Sequence, residues 1–332
     1  MATTTPPADL LARWSAFDDG SAQVRAIIPP TMAPPGLWQP LTLAPLSSFG
    51  RYLELDLRED VDPRGALQRL AELTSPEHVV VGAGLPLAVR LGVTIPGLRA
   101  FPTLHGAGHA FPSTQCALWI FVSAANSSDL FDRARTAYLA VADSFEVRQD
   151  VGAFQYRGGR DLSGYEDGTE NPKDDKAIQA AIVTGAGPGF DGGTFVAVQR
   201  WKHDLTSFLA LPESARDDFM GRELRSNEEL SSAPASAHVK RAAQESFSPP
   251  SFLVRRSMPW GGAVEHGLYF VAYGASLDTY ERILTRIAGL EDGIVDGIFS
   301  LSHAESGGYY FCPPVRGGKI DWSALGIPSA VR

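Results

Sequence analysis

The residues that could carry chemistry are few and scattered. A carboxylate pair, Glu166-Asp167, lies in a turn-rich charged segment running from Gly159 to Pro172. An arginine pair, Arg255-Arg256, is flanked by apolar Phe252-Leu-Val254 and Met258-Pro-Trp260, which favours burial over a solvated basic patch. Adjacent residues on an extended segment point to opposite sides, so Glu166 and Asp167 cannot flank one sugar as glycosidase carboxylates do. Gly82-Ala-Gly84, Gly106-Ala-Gly108 and Gly185-Ala-Gly187 lack the third glycine of a dinucleotide loop and any following Gly-Lys-Ser/Thr, so they read as turns. There is no Gly-x-Ser-x-Gly elbow and no His-Glu-x-x-His pair. The acidic run from Asp161 to Gly168 lacks the Asp/Asn alternation and closing Glu of a calcium loop. Cys116 and Cys312 are too few for a disulfide scaffold or a zinc module. A lone histidine such as His238 is ordinarily a core or surface residue, and His203, just before Asp204, reads as part of a helix cap.

Four segments together say more. In chain order they are Gly164-x-x-Asp167-Gly168-Thr169-x-Asn171-Pro172, Ser236-Ala-His-Val-Lys-Arg241, Phe252-Leu-Val-Arg-Arg-Ser-Met-Pro-Trp-Gly261 and Asp296-Gly-Ile-Phe-Ser300. This set resembles the signatures of the dye-decolorising peroxidases over residues 39 to 315, most closely the short, cytoplasmic bacterial-type class often called class B. The resemblance implies that His238 ligates haem iron and that Asp296 supplies a carboxylate behind it. It also makes Arg255 the catalytic arginine of the opposite face, with Ser257 where other members carry Asn. Asp167 becomes the acid/base, with Gly168 and Thr169 beside it at the cofactor. Arg222 and Arg241, close to the histidine segment, are candidates for the haem propionates, since a guanidinium suits bidentate carboxylate recognition.

The chemistry is consistent with those roles. A neutral imidazole suits haem iron, and a carboxylate on its second nitrogen fixes the tautomer and makes the ligand more electron-donating. A bound hydroperoxide must move a proton from one oxygen to the other, which Asp167 can do, while Arg255 stabilises charge as the O–O bond breaks. Without Cys-x-x-Cys-His the expected haem b is held non-covalently. Cys312-Pro313 offers a rival thiolate ligand. The implied partners are hydrogen peroxide and small organic reductants such as dyes and phenols. Two other readings stand beside this one: a haem-handling or haem-sensing protein with incidental peroxidase activity, and an α+β barrel enzyme binding an organic ligand without haem. The resemblance also implies a homo-oligomer, and it leaves packaging in a protein shell open, although the Ile327 to Arg332 ending does not resemble a docking tail.

The surrounding text must position these groups. The chain of 332 residues has a net charge of −9, which disfavours a nucleic-acid coat or a polybasic membrane anchor. No run of 18 apolar residues occurs, and the start lacks a basic head and an apolar run, so the expectation is a cytoplasmic protein outside the membrane. Residues 1–36, rich in proline with one strand expected over Ala22–Ile28, read as an extension. Residues 37–150 and 151–332 then read as two halves. Arg51–Leu57 alternates as a half-buried strand, Asp62–Leu73 has helical spacing, and His78–Val81 and Leu118–Val122 are strands. Ser128 to Phe145 has the pattern of a long helix, and Phe154–Tyr156 closes the first half. The second half repeats the rhythm with strands over Gly193–Arg200, Gly267–Tyr273 and Tyr309–Cys312 and helices over Asp204–Leu211 and Asp278–Gly289. This predicts an α+β fold of two ferredoxin-like units with antiparallel sheets, resembling a dimeric α+β barrel, and the family resemblance implies haem in the C-terminal unit.

Overall fold

A computed structural model describes residues 37–106 and 108–328; the strand expected over Ala22–Ile28 lies outside the described residues. The N-terminal half is β1 (Phe49–Leu57), α1 (Arg64–Leu73), β2 (Val79–Gly84), β3 (Leu118–Ala124), α2 (Ser127–Val141) and β4 (Phe145–Phe154). Its strands lie in the order β2-β3-β1-β4, all antiparallel. The C-terminal half begins with α3 (Asp174–Ala181) and β5 (Thr194–His203). It continues with α4 (His238–Arg241), β6 (Met258–Gly261), β7 (His266–Gly274), α5 (Leu277–Ile287) and β8 (Gly308–Cys312). Its order, β8-β5-β7-β6, matches that of the first half strand for strand. Both halves are ferredoxin-like.

The two sheets join edge to edge. Tyr310 and Phe311 of β8 pair with Gly84 and Ala83 of β2, and Ala153 of β4 pairs with Trp260 of β6. Eight strands thereby close a ring, which removes the exposed edges that an open sheet would present. The first seam needs glycine. A Cβ on Gly82 would stand 2.7 Å from Tyr310 Cβ, and one on Gly84 would stand 3.2 Å from Tyr310 Cδ1 across the seam and 2.1 Å from the Cys116 carbonyl oxygen beside it. The Gly82-Ala-Gly84 stretch is therefore strand and not turn, because these glycines let two backbones approach.

Period-two alternation sorts the strands into two cores. Tyr52, Trp119, Phe121, Val198, Tyr269, Val271 and Tyr310 fill the barrel. Leu53, Leu55, Ile120 and Val122 face outward under α1 and α2, and Ala272, Tyr309 and Phe311 belong to the same outer layer. β1 is consequently buried on both faces, and not half-buried as its alternation suggests.

Two boundaries also differ from expectation. α2 ends at Val141, and Phe145 opens β4, which runs on to Phe154. The charged positions of β4 serve cross-strand ion pairs, Arg51 with Asp150 at 2.5 Å and Arg148 with Asp56 at 2.5 Å. Among the described residues no helix is long and apolar enough to cross a membrane.

Candidate active site

The outer faces of β5 and β7, the buried side of α5 and the chain between β5 and β6 enclose a cavity of about 420 Å³. Gln199 and Trp201 come from β5, Leu268 and Phe270 from β7, and Ile283, Leu284 and Ile287 from α5. The loop from Asp161 to Glu170 and the segment from His238 to Ser246 supply most of the remaining wall. Of the residues expected at the site, His238, Asp167, Arg255, Arg222, Gly168 and Thr169 all line this one space.

His238 starts α4, and its side chain keeps 27% of its exposure. Its Nδ1 lies 2.8 Å from Asp296 Oδ2, so a proton on Nδ1 is donated to that carboxylate and Nε2 keeps its lone pair. Asp296 is fully buried, and its other oxygen accepts the Ile298 N–H at 2.8 Å, capping the 3₁₀ turn Gly297–Ser300. Burial by itself would lower the His238 pKa, but the Asp296 carboxylate outweighs it and raises the pKa. The carboxylate thus orients the ring and enriches it in electron density.

Asp167 and Arg255 are brought together by Asn171. The Asn171 amide accepts the Arg255 N–H at 2.8 Å and donates to the Arg255 carbonyl at 2.9 Å, so the acidic loop grips the arginine strand as a neighbouring strand would. Between them Gly168 turns the chain with φ +76°, and a Cβ there would meet Asn171 Nδ2 at 2.8 Å. Burial pushes the Asp167 pKa up, with the Arg255 charge opposing. Arg255 has no ion pair among the described residues, and its Nε is buried without a hydrogen-bond partner. Such a group is poised to meet charge that arrives with a ligand.

The remaining expected residues are placed unevenly. Arg222 lines the cavity while paired with Glu170 at 2.5 Å and donating to the Asn227 carbonyl. Thr169 Oγ1 accepts from Asn227 Nδ2 at 3.1 Å. Ser257 does not reach the main cavity. Its buried hydroxyl accepts the Val271 N–H at 3.3 Å and borders a separate space of about 90 Å³ shared with Asp167, Arg255 and Asn171. Arg241 also stays outside, because both terminal nitrogens are held by Asp292 at 2.7–2.8 Å and one also donates to the Arg286 carbonyl. Cys312 belongs to the barrel core, on the face of the sheet away from the cavity, and burial pushes its thiol well above the usual range. It has no route to act as the rival ligand.

Two wall residues are not expected at the site: His203 reads in the sequence as part of a helix cap, and nothing there singles out Gln199. His203 is buried, with Nε2 2.9 Å from Asp161 Oδ2 and Nδ1 2.7 Å from Ser302 Oγ. Burial would raise the Asp161 pKa, but the bonds from His203 and Ser163 bring it below normal. The pair ties the acidic loop to β5. Gln199, 1% exposed, accepts from Tyr280 Oη at 2.5 Å and Trp201 Nε1 at 3.2 Å, leaving its Nε2 unpartnered at the cavity wall. Neither residue has a local motif; only the fold gathers their partners.

Comparison with known proteins agrees with this geometry. Residues 158–317 match the family model described as Dyp-type peroxidase, C-terminal. The chain is 31% identical over 301 residues to a dye-decolorizing peroxidase of Rhodococcus erythropolis, covering 85% of this chain and 88% of that protein. A second dye-decolorizing peroxidase, from Mycolicibacterium paratuberculosis, is 31% identical over 224 residues, which span 66% of this chain and 63% of the relative. Among solved structures, a dye-decolorizing protein from Vibrio cholerae superposes with a TM-score of 0.75 at 29% identity, covering 82% of this chain and 95% of that one. A Rhodococcus jostii DypB variant solved in complex with heme superposes with a TM-score of 0.73 at 28% identity, covering 82% and 94%.

Proposed function

Because the chain belongs to the dye-decolorising peroxidase family and is a peroxidase of that type, we propose that it uses a non-covalent haem b to reduce hydrogen peroxide and oxidise organic reductants one electron at a time. Dyes and phenols are the reductant class. The observation that carries this reading is that His238, backed by Asp296, and the Asp167–Arg255 pair line one largely apolar cavity.

The residues present fit the cofactor. A porphyrin needs apolar walls, an axial nitrogen and cations for its carboxylates, and pockets of this kind commonly run to about 300–1,000 Å³. His238 Nε2 would hold the iron, and Leu268, Phe270, Ile283 and Leu284 would line the porphyrin. Arg222 would pair with a propionate in exchange for Glu170. When bound, the haem supplies a redox-active iron that accepts oxidising equivalents from peroxide and passes them on singly.

The protein's own contributions are positional and electrostatic. Asp296 keeps the His238 Nδ1 proton in place, so that Nε2 alone is available to a metal. Asp167, with its pKa raised by burial, takes the proton from one peroxide oxygen and delivers it to the other. Arg255 contributes a fixed positive charge beside the breaking O–O bond, and Asn171 sets its distance from Asp167. Ser257 borders the adjoining small space, where it orients water or peroxide next to the pair.

The test is an absorption spectrum of the haem-reconstituted protein before and after one equivalent of peroxide, with a pyridine haemochrome assay to identify the porphyrin. A Soret band that shifts within the mixing time and returns stepwise on adding a phenol is the expected result. Haem uptake without a peroxide response would point instead to haem handling, and no uptake would overturn the reading.

A further inference from the structure

The barrel interior holds an ionisable cluster for which the peroxide chemistry above has no use. Glu54, on β1, is fully buried and has no ion pair among the described residues, an expensive place for a carboxylate. It accepts hydrogen bonds from two phenols, Tyr269 Oη at 2.8 Å on Oε1 and Tyr310 Oη at 2.9 Å on Oε2. Trp119 Nε1 donates to Tyr269 Oη at 3.2 Å. The Tyr52 ring stacks on Tyr269 with centroids 3.9 Å apart and planes 8° apart, and its own hydroxyl has no partner. Tyr52, Trp119, Tyr269 and Tyr310 are all fully buried.

Tyr269 is also next to the cavity. It stands on β7 between Leu268 and Phe270, which line the cavity, and successive side chains of a strand point to opposite faces. One sheet's thickness separates its ring from the site. Tyr310 lacks this placement, since its strand neighbours Tyr309 and Phe311 face the outer core and not the cavity.

We propose that Tyr269 is an internal oxidation site, yielding one electron to the oxidising equivalent that peroxide leaves in the cavity and its phenolic proton to Glu54. This rests on the haem peroxidase reading above. Peroxide takes up two electrons and two protons in becoming two waters; the protons come from solvent, the bound haem would supply one electron, and Tyr269 supplies the other when no reductant is at hand. Tyr269–OH and the Glu54 carboxylate become a neutral tyrosyl radical and a Glu54 carboxylic acid, so the proton moves no farther than one hydrogen bond. An oxidised phenol is a strong acid, and Glu54 is the base already bonded to it. Burial pushes the Glu54 carboxyl up to about 7, with Tyr269, Tyr310 and the Arg200 charge opposing and Asp56 adding to the rise, so near neutral pH much of it is ionised. The stacked Tyr52 ring shares the electron deficiency, and the Trp119 N–H still has an oxygen to donate to. Because no solvent reaches these rings, the radical is shielded from organic reductants and is discharged only through the cavity. The barrel therefore stores an equivalent that would otherwise damage the cavity wall.

The experiment is freeze-quench electron paramagnetic resonance of the haem-reconstituted full chain after one equivalent of hydrogen peroxide without reductant. The expected signal is an organic radical that narrows when ring-deuterated tyrosine is incorporated and is insensitive to a soluble nickel relaxant. Tyr269→Phe should lose it, Glu54→Gln should lose most of it, and Tyr310→Phe should keep it. A signal that survives Tyr269→Phe overturns the proposal. So does a wild-type radical that fails to narrow or that the relaxant broadens, whether or not the variants fold. If the haem spectrum responds normally to peroxide but no buried tyrosyl radical forms, only this inference fails. If the haem spectrum does not respond, the functional reading fails and takes this inference with it.

Discussion

The two halves of the barrel repeat one topology and cover their outer faces differently. In the N-terminal half, α1 and α2 lay Ala66, Leu67, Leu70, Leu130, Ala134 and Ala137 directly onto the sheet, and the layer closes into a solid core. In the C-terminal half α5 also buries Leu277, Tyr280, Ile283 and Leu284, but the last three wall the cavity. The first connection is different. Between β1 and β2 it is a single amphipathic helix, whereas between β5 and β6 it is a long excursion through short helices, one of which, Glu213–Met220, buries no residue. That excursion arches over the sheet and leaves room beneath. The ferredoxin-like topology therefore builds the support, and the departure from it builds the site.

The sharpest test of that contrast pairs one substitution from each half. His238→Ala removes the ring nitrogen that the Asp296 contact leaves free at the cavity, and stoichiometric haem retention should be lost, as read by the Soret absorbance after gel filtration. Leu67→Ala opens a cavity under α1, where Leu67 is fully buried, and should cost about 2–5 kcal/mol in urea melts while leaving the haem spectrum of the folded protein unchanged. A Leu67 variant with altered haem absorption would show that the halves are not divided between support and site.

Within the site, Arg255 and Asp167 should separate next. A carboxylate's proton transfer can be taken over by a water, and the small space beside Asp167 and Arg255 can hold one. A preorganised cation has no such substitute. Arg255→Leu should slow the peroxide-induced spectral change by about 10²–10³-fold in stopped-flow mixing. Asp167→Asn should slow it less than the roughly 10²–10⁴ typical of a lost general base. A dead Asp167 variant beside a fast Arg255 variant would reverse these roles.

Much of this division was legible before the fold was. The repeating strand and helix text of the two halves stands in the sequence itself, whereas His238, Asp296, Asp167 and Arg255 were legible through the resemblance of four local segments to a known family. Closure of the barrel was less so, since it depends on Gly82 and Gly84 meeting Tyr310, a contact across more than two hundred residues. Arg241 looked apt by type and proximity, yet Asp292 claims it. His203 gave the opposite error, for Asp161 and Ser302 reach it only once β5 is laid beside the loop and the strand Ser302–Ala304. Long-range partners decide what a polar side chain is free to do.

Asp296→Asn tests a gentler contribution of the excursion. The amide can still cap Ile298 but cannot share the charge of the His238 ring, so haem should stay bound with affinity lowered by about 10–100-fold at most. The iron's reduction potential should rise, because the imidazole loses anionic character. Spectroelectrochemical titration of the two proteins measures it. An unchanged potential would reduce Asp296 to a turn-capping residue.

The smallest expected effect falls on neither outer face but on the interior the halves share. Glu54 has its carboxyl raised from 4.5 to about 7, so the folded barrel holds a proton that the unfolded chain releases over that interval. The native state then binds more protons than the unfolded state, and stability falls as pH rises from about 4.5 towards 7, with a slope of at most about 1.4 kcal/mol per pH unit. Asp167, also raised by burial, adds a term of the same sign. Glu54→Gln keeps the shape and the two tyrosine partners but removes the titration. Urea midpoints of the variant should change less steeply between about pH 5 and pH 7 than those of wild type, with the two curves closest at the acid end. Parallel curves would mean that Glu54 keeps an ordinary pKa, which requires water inside the barrel, and the interior would then be no drier than the cavity on the other face of the same sheet.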